Sequence, residues 1–208
     1  MRVLKISALL TCAIAGAIAA TTQDKLTIVV FDNAGVSRDT LFSAAKEGRH
    51  AFHDAGVETE WVLCSPTQPC SVPERFAQLR ILPRPLKTTP VSPTGMAATM
   101  CTTLDLCTGS YVFYDRVLQF ADDASAPPNL TLAYVMVHEV GHLLGLGHKP
   151  GSIMTASFTY RDLRKAATGW LCFADGDARD LRAAAARWRS ANNARHIKLT
   201  TSRGEVAE

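Results

Sequence analysis

Beyond residue 20 the 208-residue sequence has no apolar run long enough to cross a membrane, which takes roughly 18 residues or more. It has no acidic loop with EF-hand spacing, so no calcium site of that kind is indicated. It shows no internal repeat, which sets aside solenoids and arrays, and no linker that divides it into two domains. It also lacks an excess of charge. The first twenty residues hold Arg2 and Lys5 and no acid, so their removal takes the formal charge from +3 to +1. That gives no basis for nucleic-acid binding. What is left is enough chain for one domain with a sizeable core.

The start, MRVLKISALLTCAIAGAIAA, has two basic residues, a short apolar run and Ala17-Ile18-Ala19. This is the pattern of a secretory signal peptide cleaved near Ala19 or Ala20. As a membrane anchor the run is too short. As a lipoprotein signal, Cys12 is preceded by a threonine where a smaller residue is expected. The expected layout is a leader at 1–20, one folded domain at 21–191 and a polar, loose tail at 192–208, in a secreted or periplasmic protein.

Five cysteines follow the leader. CSPTQPC sets Cys64 close to Cys70, and CTTLDLC sets Cys101 close to Cys107. In an exported chain these read as two local disulfides, each closing a loop of about seven residues worth about 2 kcal/mol. Both gaps are wider than the usual C-x₂₋₄-C of a zinc finger. Connectivity does not follow from sequence alone. Cys172 is left over, as a buried thiol or an intermolecular link.

LTIVVF, Leu26 to Phe31, is apolar and β-branched and reads as a buried strand. Asp32 to Gly35 is a turn. Ser37 caps a helix running to about Ala55, with Leu41, Ala45, Gly48, Phe52 and Ala55 on one face. VETEWVL and RFAQLRIL read as strands. Pro83 to Pro93 is a proline-rich loop of the kind that rims a site. Met96 to Cys101 is a short strand and SYVFYDRVL, Ser110 to Leu118, a clearer one. Pro127-Pro128-Asn129 stops the chain and caps a new helix, LTLAYVMVHEVGHLL, which is apolar nearly all round and therefore buried. A polar stretch follows Met154. Asp177 to Ala191 is a terminal helix rich in alanine and arginine.

HEVGHLLGLGH, His138 to His148, lies at the end of the apolar helix. His138 and His142 are four apart and share a helix face. His148 is out of phase with that face, so the helix must end first. Gly145 is suited to end it, because glycine tolerates the left-handed conformation that closes a helix. Three imidazoles leave one position of a tetrahedral zinc open, which marks a catalytic site rather than a closed structural one. Glu139 is displaced around the helix toward that position, where a carboxylate can act as general base and then acid. H-E-x-x-H alone arises by chance, but adding Gly145 and His148 makes coincidence rarer by roughly five hundredfold.

These residues resemble the metzincin signature H-E-x-x-H-x-x-G-x-x-H and look most like its matrixin branch. GSIM, ending at Met154, resembles the family's Met-turn, a methionine beneath the metal. On its own a methionine reads as core filler. The interval from His148 to Met154 is short for a matrixin, and Ala156 stands where some branches place a tyrosine. Tyr160 aligns with no such role. The resemblance implies an α/β fold with a twisted, mostly parallel sheet, an antiparallel edge strand above the cleft, a buried metal-binding helix and a small C-terminal subdomain ending in a helix. Met96 to Cys101 is the candidate edge, which a peptide would join by strand addition. The Cys101–Cys107 bridge would stiffen the end of that edge.

The function implied is an exported zinc endopeptidase with one catalytic zinc on His138, His142 and His148. Glu139 is its base, Met154 its support, and a peptide or protein its substrate. A zinc module that no longer cleaves would not need Glu139. A hydrolase of a small non-protein amide would use the same chemistry and differ only in the cleft. No matrixin-like latency cysteine lies between leader and first strand. Latency is therefore absent or supplied from outside, for instance by a protein inhibitor. A monomer is expected.

Overall fold

The computed structural model describes residues 25–68, 70–87, 91–103 and 106–202. The leader at 1–20 and the last six residues of the expected tail lie outside the described residues. The chain runs β1 (Leu26–Asp32), α1 (Arg38–Asp54), β2 (Thr59–Cys64), β3 (Ala77–Leu82), β4 (Ala97–Thr103) and β5 (Leu106–Phe113). It continues through α2 (Tyr114–Asp123), α3 (Pro128–Leu143), α4 (Tyr160–Ala167) and α5 (Asp175–Ser202).

The five strands form one sheet in the order β2-β1-β3-β5-β4. β1 is an interior strand, parallel to its neighbours β2 and β3, and β5 is parallel to β3. An interior strand covered on both faces must be apolar on both, and in β1 Leu26, Ile28, Val29 and Val30 are all buried. β3 instead alternates, with Ala77, Leu79 and Ile81 inward. β4 runs antiparallel to β5 at the sheet's edge, with Thr99 opposite Ser110. Among the described residues no strand pairs with its outer edge. This is the expected α/β fold, mostly parallel with one antiparallel edge.

α1 begins where Ser37 Oγ accepts the Thr40 N–H at 3.2 Å. It buries Leu41, Ala44, Ala45, Gly48, Ala51 and Phe52 against α3 and β2. α3 starts with Pro128 in its first turn. A proline there costs nothing, because its missing N–H would have had no partner in the helix. No side chain caps this end, contrary to what Asn129 suggested. Every residue of α3 from Leu130 to Gly141 is buried, which fixes the helix beneath the sheet's β3–β5–β4 side.

Four expectations need correcting. SYVFYDRVL is half strand and half helix: β5 ends at Phe113 and α2 starts at Tyr114. Val117 and Ala121, one helical turn apart, are the buried pair that draws it into a helix. The polar stretch after Met154 contains α4, started by a capping box in which Thr159 and Asp162 satisfy each other's backbone N–H. The terminal helix starts two residues early and runs on to Ser202 through part of the expected tail, since extending a helix costs far less than nucleating one. Cys172 is exposed rather than buried, because it alternates with the buried Leu171 and Phe173. The other four cysteines among the described residues are joined as Cys64–Cys70 and Cys101–Cys107.

Candidate active site

The three histidines are delivered by the last turn of α3 and the loop after it. α3 ends in a Schellman motif. The Gly145 N–H donates to the His142 carbonyl and the Leu146 N–H to the Gly141 carbonyl, both at 3.0 Å. Gly145 adopts φ +91° there. The turn sends the chain back toward the helix, and the Leu146 carbonyl accepts a hydrogen bond from His142 Nδ1 at 2.8 Å. His148 follows and meets His142 edge-on.

The segment after His148 folds under the site. The Lys149 N–H donates to the Met154 carbonyl at 2.7 Å, and a turn closes with Thr155 N–H donating to the Ser152 carbonyl. This turn presents two groups to α3. The Ile153 carbonyl accepts from His138 Nδ1 at 2.8 Å. Met154 is fully buried against Gly141, where a Cβ would stand only 2.5 Å from its sulfur. Lys149 ties the same loop to α5 through the buried carboxylate of Asp177, 2.6 Å away.

These contacts settle the tautomers. A carbonyl can only accept, so Nδ1 carries the proton on both His138 and His142, and Nε2 is left with a lone pair. Burial lowers the His138 pKa to about 4 and lowers that of His142, so both rings are neutral near pH 7. Yet His142 Nε2 stands 3.0 Å from His138 Nε2 and 3.1 Å from His148 Nε2. Two unprotonated nitrogens at that distance repel each other unless a cation lies between their lone pairs. A tetrahedral zinc with bonds near 2.0–2.1 Å sets its nitrogen ligands roughly 3.3 Å apart, so the donor set fits such an ion. The Nδ1–H bonds to carbonyls are the orienting partners that metal-ligating histidines ordinarily have.

Glu139 lies beside them, buried, in an open cleft of about 1090 Å³. Burial pushes its pKa up to about 7, against the pull of a hydrogen bond from Thr99. The cleft is walled by β4 from Ala97 to Thr99 on one side and by Thr155 to Phe158 on the other. The Phe158 ring meets His138 edge-on at 5.7 Å. Ala156 is on this wall, whereas Tyr160 is outside it, half exposed under Arg164.

Residues 92–169 match the matrixin family model, peptidase M10. The matched segment is less than half of the chain, and it carries β4, β5, α2, α3, the turn at Met154 and α4. Among solved structures, the archaemetzincin of Methanopyrus kandleri superposes with a TM-score of 0.55 at 16% identity, covering 79% of this chain and 98% of that one. A zinc-dependent peptidase of Methanocorpusculum labreanum gives a TM-score of 0.48 at 16% identity, covering 74% and 99%. A comparison with curated proteins found no match. The fold is metzincin-like. Together with the matched segment and the three-histidine cluster, it supports a metzincin-like zinc metallopeptidase.

The structure thus brings together His138, His142, His148, Glu139 and Met154. It adds groups that the sequence reading left out: the Ile153 and Leu146 carbonyls, Phe158 and Thr99. A carbonyl has no residue signature. Thr99 lies on the edge strand β4, which the sequence placed at Met96 to Cys101, but nothing near it marks Glu139 as its partner.

Two glycines of the motif act differently and can be told apart. Gly145→Ala adds a Cβ with nothing within 4 Å, so its cost is backbone strain alone, about 1–2 kcal/mol. Gly141→Ala keeps a helical backbone but drives a methyl into Met154, an overpacking cost of about 1–3 kcal/mol. Thermal melts of both variants, and of Gly141→Ala combined with Met154→Ala, check this. The double variant is expected to lose less than the two single losses added together, because each change relieves the other.

Proposed function

We propose that this chain is an exported, zinc-dependent endopeptidase of matrixin type, with one catalytic zinc held by His138, His142 and His148. The observation that carries the reading is the convergence of three imidazole Nε2 atoms, with the tautomers of His138 and His142 fixed by backbone carbonyls, beside a buried carboxylate in an open cleft. Zinc bound there supplies Lewis acidity, activating a water and polarising the scissile carbonyl. The chain supplies the rest. Glu139 takes the proton as the water oxygen bonds to the carbonyl carbon. It returns that proton to the amine nitrogen as the C–N bond breaks. His138 and His142 are held in one tautomer by Ile153 and Leu146. Met154 and Gly141 lock the floor.

The open cleft beside β4, whose outer edge has no partner among the described residues, favours a peptide over a small amide, because an extended chain can pair with β4 along its length. Two disulfides support an oxidising compartment, and no helix among the described residues is long and apolar enough to cross a membrane. A leader at 1–20, a monomeric state and control by a protein inhibitor belong to the same reading.

A proteome-derived peptide library incubated with the purified protein, with and without a chelator, tests it. Cleavage that stops with the chelator and returns with zinc is the expected result. A protein that binds zinc and cleaves nothing would turn the reading to the non-cleaving module. Release of amines from small acylated substrates alone would turn it to the amide hydrolase.

A further inference from the structure

We propose that Thr99, backed by Ser110, is a positioning residue that aims the Glu139 carboxylate. The inference rests on the peptidase reading above and deepens it. Thr99 Oγ1 lies 2.5 Å from Glu139 Oε2 and 2.6 Å from Ser110 Oγ. An ionised carboxylate only accepts, so Thr99 must donate its one proton to Glu139. The Thr99 oxygen then accepts from the Ser110 hydroxyl. The three groups form a directed chain in which each bond polarises the next.

The chain is built into the fold. Thr99 and Ser110 are directly opposite in the β4–β5 ladder, a cross-strand hydroxyl pair of the kind that stabilises antiparallel strands. Ser110 is buried and anchors the pair from beneath. α3 crosses this ladder at its β4–β5 side, which brings Glu139 forty residues along the chain to the hydroxyl of Thr99. One carboxylate oxygen, Oε2, is thereby held against the edge strand. Oε1 has no such tether among the described residues and is free to meet the water. A carboxylate without this anchor can rotate about its last two torsions, and proton transfer requires near-attack geometry. Since β4 is also the strand a peptide would join, the base and the docking edge share one rigid element.

The test uses the full zinc-loaded chain and compares Thr99→Val with Thr99→Ser. Valine keeps the shape and removes the hydroxyl, while serine keeps the hydroxyl. Thr99→Val is expected to lower kcat about 10- to 100-fold with KM little changed. Zinc content and thermal melt should stay near wild type. Thr99→Ser is expected to recover most of kcat. Equal loss in both variants, or loss that follows a lowered melt, would mean that the residue only supports the strand and would overturn the proposal. So would wild-type kcat in Thr99→Val, while Glu139→Gln inactive beside it would leave the peptidase reading standing. A crystal structure of Thr99→Val gives a readout independent of turnover. Glu139 is expected in more than one rotamer, and a single unchanged rotamer would equally overturn the positioning role, even if the wild type cleaved nothing.

Discussion

Glu139→Gln is expected to abolish peptide cleavage, by about 10²–10⁴ in rate, while zinc content and fold are kept. The swap is nearly isosteric, and the amide oxygen can still accept from Thr99 where the carboxylate does at 2.5 Å. Only the ability to take up and return a proton is lost. Stability should move the other way. Burial raises the folded-state pKa of Glu139 from its ordinary 4.5 to about 7 in the metal-free site. A carboxyl raised in this way binds more protons folded than unfolded between those values. Its unfavourable contribution is therefore absent below pH 4.5, grows as pH rises and is complete above about 7, at the order of 1–3 kcal/mol. Glutamine does not titrate and carries no such cost. Melts of chelator-treated protein should show the variant gaining on wild type between pH 5 and 7.5. Peptide turnover and bound zinc are measured on the loaded protein. Cleavage unchanged with zinc retained would sink the mechanism, and loss of zinc with loss of cleavage would point to a structural role for the carboxylate.

How much of this was legible before the structure depends on the range of each interaction. His138, His142, Gly145 and His148 could be placed together because a helix has a fixed period and a glycine marks its end. These are local facts, and the Schellman turn at Gly145 expresses them directly. Cys64–Cys70 and Cys101–Cys107 were suggested by short loops for the same reason. β1 and α1 followed from a β-branched run and a serine cap. The misses lie where a distant partner decides. Tyr111, Val112, Phe113 and Tyr114 all favour a strand, yet the chain becomes helical at Tyr114 so that Val117 and Ala121 are buried against the core. α4 is only eight residues long and its capping box uses Asp162 in place of the usual glutamate. Its start signal was present but weak. Thr99 could not be paired with Glu139 at all from sequence. Their contact needs the β4–β5 register and the crossing of α3 together, neither of which is written in the residues near Thr99.

The other large effect concerns the metal ligands themselves. His138→Ala, His142→Ala and His148→Ala should each strip zinc from the purified protein, measured as metal per chain after dialysis. The three should nonetheless differ in stability, because their burial differs. His138 is buried and its Nδ1–H fills the Ile153 carbonyl. Removing it leaves a cavity and an unsatisfied carbonyl, a loss of about 2–4 kcal/mol beyond the metal. His142 is half-buried and satisfies the Leu146 carbonyl, so it should cost less. His148 is exposed, and its loss should cost little beyond the bound zinc. Metal binding stabilises by RT ln(1 + [L]/Kd), so a chelator should lower the wild-type melt substantially and the His148→Ala melt hardly at all. Three variants that all keep one zinc per chain would place the ion elsewhere and remove the basis for the reading. Zinc lost only from His138→Ala and His142→Ala, with His148→Ala still loaded, would make the site a two-histidine one completed by another group. In that case the Schellman turn at Gly145 would serve to hold His142 in place rather than to deliver a third ligand.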